Sequence, residues 1–79
     1  MSEVRFKLGE ILEYLDVPGT KLAEESQIRR NTVYDMIDNR SKSVSLRNLA
    51  AILSALNRIA AEKKLDRRFE IKDILEFID

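Results

Sequence analysis

The sequence contains no cysteine and no histidine, and only two glycines, one proline and five aromatic residues. Without cysteine, neither a disulfide framework nor a thiolate metal site can form. Without histidine, the commonest metal ligand and the usual general base are both missing. No glycine-rich phosphate loop or carboxylate metal loop occurs either. The sequence therefore argues against an enzyme, and we expect no cofactor and no metal.

Long apolar runs are also absent. No segment approaches the length of a membrane span, and the first ten residues carry charges where a secretory signal would have an apolar stretch. We therefore expect a cytoplasmic protein without a membrane partner. The 79 residues, 44% hydrophobic and 35% charged, suit one folded domain spanning 1–79.

The formal net charge is zero, but the charges are unevenly distributed. Residues 1–28 carry three cations against six acids, a net charge of −3. Residues 29–47 carry five cations against two acids, a net charge of +3, and the remainder is balanced. The positive middle segment indicates where an anionic partner such as nucleic acid would lie.

The stretch 20–38, TKLAEESQIRRNTVYDMID, has the pattern of two short helices joined by a tight turn. Ala23 lies ten residues before Val33 and thirteen before Met36, so a small residue would let the second helix cross closely over the first. The polar side of the second helix would then face outward; it contains Arg30, Asn31, Tyr34 and Asp35. Such a surface can enter a DNA groove.

Apolar residues at helical spacing predict three further helices. The first runs from near Glu3 to Leu15 with Ser2 as its N-cap, and its buried positions are Val4, Leu8, Ile11, Leu12 and Leu15. Ser45 starts the fourth helix, whose stripe comprises Leu46, Leu49, Ala50, Leu53, Leu56, Ile59 and Ala60. The fifth, from Ile71 to Phe77, would place Ile71, Ile74, Leu75 and Ile78 on one side. We predict an all-α fold of five helices without a strand.

These residues together resemble the Cro/C1-type (XRE-like) helix-turn-helix domain of phage repressors and bacterial transcriptional regulators. The resemblance covers about Lys7 to Phe77 and rests on the order of its apolar positions: Leu8, Ile11, Leu12, Leu22, Ala23, Ile28, Val33, Met36, Leu46, Leu49, Ala50, Leu53 and Leu56. It implies a five-helix lambda-repressor-like fold and a sequence-specific DNA-binding regulator, more specifically a repressor.

The sequence departs from the family pattern in three places. Gln27 stands where the turn usually has glycine, and a positive φ there costs a non-glycine residue about 1 kcal/mol. Leu12 and Ile37 replace an Arg–Glu pair that many members have, and a packed core tolerates the exchange of both partners. The segment 57–70 is longer than the usual link.

The resemblance implies that the start of the second helix of the pair contacts base edges. The matching residues are Arg29, Arg30, Asn31 and Asp35. Arginine forms bidentate hydrogen bonds to guanine and asparagine to adenine, while aspartate can accept from cytosine. The alternatives are a solvated turn for the two arginines, a helix cap for Asn31 and a surface ion pair for Asp35.

Phosphate contacts are expected at the start of the first helix of the pair and in the loop after the second. The residues are Thr20, Lys21, Tyr34, Arg40, Lys42, Ser43, Ser45 and Arg47. Each of them could equally be an ordinary surface residue, so the expectation applies to the group.

The expected partner is double-stranded DNA, and the family commonly binds paired half-sites. A homodimer would form through the fifth predicted helix and the segment before it; alternatively, Phe69, Phe77 and Ile78 complete the core. No small-molecule ligand is expected. A second hypothesis is a protein-binding module of the same fold, antitoxin-like or an adaptor, which the zero net charge and the acidic N-terminal third favour.

Overall fold

The computed structural model describes residues 2–79, which form five helices and a two-stranded sheet. In chain order the elements are β1 (Glu3–Phe6), α1 (Leu8–Leu15), α2 (Gly19–Ser26), α3 (Arg30–Ile37), α4 (Leu46–Glu62), α5 (Ile71–Ile74) and β2 (Leu75–Ile78). The predicted set of five helices is confirmed. The prediction that the fold has no strand is wrong, because two four-residue segments near the ends of the chain pair as antiparallel strands. Within this part of the chain, no helix is long and apolar enough to cross a bilayer.

One apolar core joins the helices, and α4 contributes the largest share of it. The buried face of α4 comprises Leu49, Ile52, Ala55, Leu56, Ile59 and Ala60. The predicted stripe is correct for Leu49, Leu56, Ile59 and Ala60, and Leu53 packs against the core half-buried. It is wrong for Leu46, which is 84% exposed, and for Ala50, which is also exposed. At about 100° per residue these two positions lie roughly 120° and 160° around the helix axis from Ile52. The N-cap prediction is confirmed, since the Ser45 hydroxyl oxygen accepts from the Asn48 N–H at 3.0 Å.

The prediction that α1 begins near Glu3 is wrong. Residues Glu3–Phe6 form β1, which pairs antiparallel with β2, so that Val4 lies opposite Phe77. Ser2 does not cap a helix; its hydroxyl donates to an Asp79 carboxylate oxygen at 3.2 Å. Helix α1 begins only at Leu8. The strand partners are about 71 residues apart in the sequence, so local periodicity could not reveal the pairing.

The prediction of a last helix from Ile71 to Phe77 is correct only for its first turn. Helix α5 ends at Ile74, and the chain continues as β2. Ile74 is fully buried, but Ile71 is 52% exposed and Phe77 is 67% exposed. Phe77 therefore does not complete the core.

Two asparagine side chains each form the pair of hydrogen bonds that a neighbouring strand would otherwise form with the backbone. The Asn39 amide accepts from the Phe6 N–H at 2.7 Å and donates to the Phe6 carbonyl at 3.0 Å. The Asn57 amide accepts from the Phe69 N–H at 2.7 Å and donates to the Phe69 carbonyl at 3.3 Å. Each amide satisfies both backbone groups of a residue that is remote in sequence.

The long segment 57–70 covers one side of the core. Phe69 is buried, and its ring meets the Tyr14 ring edge-on with centroids 6.3 Å apart. The Arg67 guanidinium lies 5.0 Å from the Tyr14 centroid and 4.7 Å from that of Phe69. It also pairs with Asp73 at 3.7 Å. The extra length thus folds back on α1, with cation–π contacts over a buried ring.

We predict that Asn57→Ala lowers the free energy of unfolding by about 1–3 kcal/mol, because both backbone groups of Phe69 lose their partner. Urea denaturation measures the change. Asn57→Asp is the control: it keeps the acceptor for the Phe69 N–H and should cost less. Equal losses for both variants would contradict a role for the paired hydrogen bonds.

We predict that Gly9→Ala stabilises the protein by about 0.5–1 kcal/mol, because alanine favours helices over glycine. A Cβ there would lie 3.6 Å from the Ile37 Cγ2, an ordinary contact. Gly19→Ala is the matched comparison, since its Cβ would lie only 2.8 Å from the Ile37 Cδ1 and 2.9 Å from the Tyr34 Cζ. The melting temperature should rise for Gly9→Ala and not for Gly19→Ala. A lower melting temperature for Gly9→Ala would contradict the prediction that alanine stabilises the helix at this position.

Candidate nucleic-acid interface

Helices α2 and α3 pack as the sequence predicted. Val33 and Met36 of α3 are buried with 0% and 1% exposure, and they belong to the same core as Leu22 and Ala23 of the adjacent α2. The small Ala23 side chain suits a close crossing of the two helices. The opposite side of α3 is thereby turned toward solvent.

The turn between the two helices is closed by backbone hydrogen bonds. Gln27 adopts a left-handed conformation with φ 58° and ψ 36°, and its N–H donates to the Glu24 carbonyl at 3.3 Å. The Ile28 N–H donates to the Ala23 carbonyl at 3.1 Å. Gln27 therefore has the positive φ that glycine usually supplies at a helix end, although this residue is not glycine.

The start of α3 is exposed. Arg29 occupies the N-cap position, and no side chain in the described chain caps the helix. Asn31 consequently does not act as the cap, and it is exposed together with Arg29 and Arg30. Uncapped N–H groups and the positive end of the helix dipole face the same surface, which favours an anionic ligand.

Asp35 forms the surface ion pair that was one of its two alternatives. Its carboxylate lies 3.2 Å from the Arg40 guanidinium, which also reaches Asp38 at 3.3 Å. The N–H groups of Arg40 and Ser41 donate to the Asp35 carbonyl at 2.7 and 3.2 Å. These bonds hold the loop after α3 against the end of the helix and neutralise acidic charge beside the basic residues.

Tyr34 connects α3 with the start of α2. Its side chain is half-buried, and a Cβ added to Gly19 would lie only 2.9 Å from its Cζ atom. Glycine at position 19 therefore makes room for the ring. The Tyr34 ring therefore lies against the first residue of α2.

The start of α2 carries a paired cation. Lys21 lies 3.2 Å from the Glu25 carboxylate. The hydrogen bond to Glu25, followed by the charge of that carboxylate, raises the pKa of the Lys21 ammonium above its usual value. Pro18 is the N-cap residue of α2, and no side chain caps the helix. Half-buried Thr20 lies in its first turn.

The loop after α3 and the start of α4 hold the other predicted phosphate contacts. The Ser41 hydroxyl donates to the Ser43 carbonyl at 2.7 Å, and Ser45 caps α4. Lys42 and Arg47 are exposed. Ser45 thus has a structural role that is compatible with a phosphate contact, because its hydroxyl proton is still available to donate.

The cations of this surface fall into two groups. Lys21 and Arg40 are ion-paired. Arg29, Arg30, Lys42 and Arg47 form no ion pair within residues 2–79. Sequence reasoning missed Leu46, which stands exposed between Ser45 and Arg47. Leu46 directly follows the N-cap and lies roughly 120° around the axis of α4 from Ile52. This position indicated that its side chain faces away from the core.

The described residues contain no cluster of carboxylates that could hold a metal ion. A family model described as "Cro/C1-type HTH DNA-binding domain" matches residues 7–58, about two thirds of the chain. The match begins just before α1 and ends within α4, so both strands and α5 lie outside it. No curated protein and no solved structure matches the chain.

We predict that Gln27→Gly raises the free energy of unfolding by about 0.5–1 kcal/mol, because glycine relieves the left-handed strain at φ 58°. Urea denaturation measures the gain. Lys64→Gly, with φ 59° just after the C-terminal end of α4, is the matched control and should gain similarly. If Gln27→Gly alone lowers the free energy of unfolding, the Gln27 side chain stabilises the turn.

Proposed function

The chain belongs to the Cro/C1-type helix-turn-helix family of DNA-binding domains, and we propose that it is a sequence-specific transcriptional regulator that places α3 in the major groove. The uncapped, exposed start of α3 is the observation that carries the proposal. An apolar platform holds this helix start outward, and unpaired arginines surround it. That combination suits base edges flanked by phosphates.

We assign the base contacts to the first turn of α3. Arg29 and Arg30 would form bidentate hydrogen bonds with guanine, and Asn31 would do so with adenine. Asp35 is paired with Arg40, but a carboxylate has room for further hydrogen bonds. It therefore remains a proposed acceptor for a cytosine amino group, and it also positions Arg40.

Two groups would contact the phosphates on either side of the groove. One is the start of α2, with the first-turn N–H groups, Thr20, Lys21 and the hydroxyl of Tyr34. The other is the loop after α3 with the first turn of α4, which contains Arg40, Lys42, Ser43, Ser45 and Arg47. Contacts of this kind set the register of α3 but carry no sequence information.

We further propose that the regulator acts inside the cell as a repressor. A domain seated in the major groove excludes other proteins from the same base pairs, so repression needs no additional contact. Two copies on paired half-sites would extend the short sequence that one α3 can read.

A second candidate is a protein-binding module of the same fold, antitoxin-like or an adaptor. The exposed Leu46 favours it, because an apolar side chain standing 84% exposed among polar neighbours suits a protein contact. The zero net charge also reduces nonspecific attraction to DNA.

Selecting preferred duplexes from a random pool tests the proposal, since it reports binding, consensus and half-site spacing together. We predict that Arg30→Ala weakens binding to the selected site by about 1–3 kcal/mol and relaxes one base position. Lys42→Ala should weaken binding to all duplexes by a similar factor and reduce the magnitude of the slope of log K against log salt by about 1. Fluorescence anisotropy over a salt series measures both effects.

Lys63→Ala removes the same charge at the far end of α4 and is the control for Lys42→Ala. Its salt slope should equal that of the unchanged protein. If no duplex is enriched, or if the Arg30→Ala and Lys42→Ala double variant keeps the original slope, the protein-binding hypothesis replaces the DNA-binding one.

A further inference from the structure

One side of α4 faces outward without a charged residue. At about 100° per residue, six positions of this helix fall within an arc of roughly 100°. They are Leu46, Ala50, Leu53, Ser54, Asn57 and Ala61. None of the six is charged, although 35% of the chain is, and four of them are exposed. The solvent side of a helix usually carries charges, so this composition suits contact with another apolar surface.

The C-terminal half of this face forms the floor of an open groove of about 840 Å³. The opposite wall is the segment 68–72, where Ile71 is 52% exposed. The Asn57 amide in the floor already bonds both backbone groups of Phe69. The groove therefore offers a partner mainly small and apolar side chains.

The shape of this surface suits a helix. From Leu46 to Ala61 the face extends about 22 Å along the axis, the length of a partner helix of about 15 residues. The side chains of Ala50, Ser54 and Ala61 are small, which lets a second helix approach α4 closely. The larger Leu46 and Ile71 project from the surface and can pack between the side chains of that helix.

The charges around the groove indicate an acidic partner. Its lining contains three cations, Arg58, Arg68 and Lys72, and one acid, Glu70, a net charge of +2. Arg58 lies 3.8 Å from the Glu25 carboxylate, and Lys72 lies 3.8 Å from that of Glu70. Arg68 forms no ion pair within residues 2–79. Complementary charge would therefore come from carboxylates of the partner.

Two other occupants fit this surface less well. A second copy of the chain on a two-fold axis would bring the cations of both grooves together, and like charges facing each other disfavour binding. Nucleic-acid phosphates would contact the cations, but they would make no use of the apolar residues Leu53 and Ile71. An acidic amphipathic helix satisfies both the floor and the rim.

We propose that the α4 groove surface, the six outward residues of α4 together with the segment 68–72, binds an amphipathic helix of another protein. The partner would place its apolar stripe on Leu53, Ala61 and Ile71, and its acidic flank beside Arg68 and Lys72. Among the described residues, none from α3 lines the groove. The proposal therefore does not depend on DNA binding.

A displayed library of helices about 20 residues long tests the proposal. Each member carries apolar residues along one face, and glutamate, lysine or glutamine is drawn at random at the flanking positions. The full chain, immobilised, selects from this library. Glutamate should be enriched at the flanks. If no helix is enriched, or if lysine is enriched, the proposal is wrong.

Substitutions on α4 test the position of the contact. We expect Ala50→Glu and Ala61→Glu to weaken binding of an enriched, fluorescently labelled peptide at least about tenfold, because each puts a carboxylate on the apolar floor. Both positions are exposed and glutamate favours helices, so the variants should fold. Phe77→Glu adds the same charge to an exposed apolar residue outside the surface and should leave the affinity unchanged. Equal affinities for Ala61→Glu and Phe77→Glu would contradict the proposal.

Reversing one charge tests the choice of partner. Arg68→Glu should weaken the glutamate-flanked peptide at least about tenfold and strengthen the same peptide with lysine at the flanks. A gain of this kind cannot arise from unfolding. If Arg68→Glu instead weakens binding to random duplex DNA and leaves the peptide unaffected, the groove contacts nucleic acid and the proposal fails.

Sedimentation without peptide tests the remaining occupant. If the chain dimerises and Ala61→Glu abolishes the dimer, the surface is a contact between copies and the proposal fails. Failure of the proposed function looks different. A chain that binds glutamate-flanked helices but enriches no duplex keeps this surface and loses the DNA-binding role.

Discussion

The burial of Val33 and Met36 determines which side of α3 faces solvent. Helix α3 has only eight residues, fewer than an isolated helix needs to be stable in water. Its existence and its rotation about its own axis depend on burying Val33 and Met36 against Leu22 and Ala23. The same burial turns the arginine-rich start of α3 outward. A bulky residue in place of Ala23 would push α3 away from α2 and move every proposed base contact at once, without changing a single outward residue.

The elements outside the family match serve a common purpose. The segment after α4 and both strands return to cover α1 and the end of the core, and the amides of Asn39 and Asn57 hold them there. Asn39 directly follows the last turn of α3, so the same amide also connects the candidate interface with the sheet.

Periodicity predicted most of the helices, because each buries one face and has a recognisable start or turn. The exposure of Arg29, Arg30, Lys42 and Arg47 followed from the same patterns. The sheet could not be predicted: EVRF and LEFI are four residues each, too short for an alternating pattern, and they meet only through the folded chain. The Arg40 ion pairs depend on the turn after α3, where Asn39 has φ 58°, and residue types alone do not specify that geometry.

The neutral net charge and the DNA-binding family are compatible once the pairing of individual charges is considered. Glu25 already neutralises Lys21, and Asp35 with Asp38 neutralises Arg40, so these cations add little to counterion release. The four unpaired cations near α3 would release about as many counterions per copy, which supports only modest affinity at physiological salt. Such a domain depends more on base contacts than on charge, and one short helix supplies few of them.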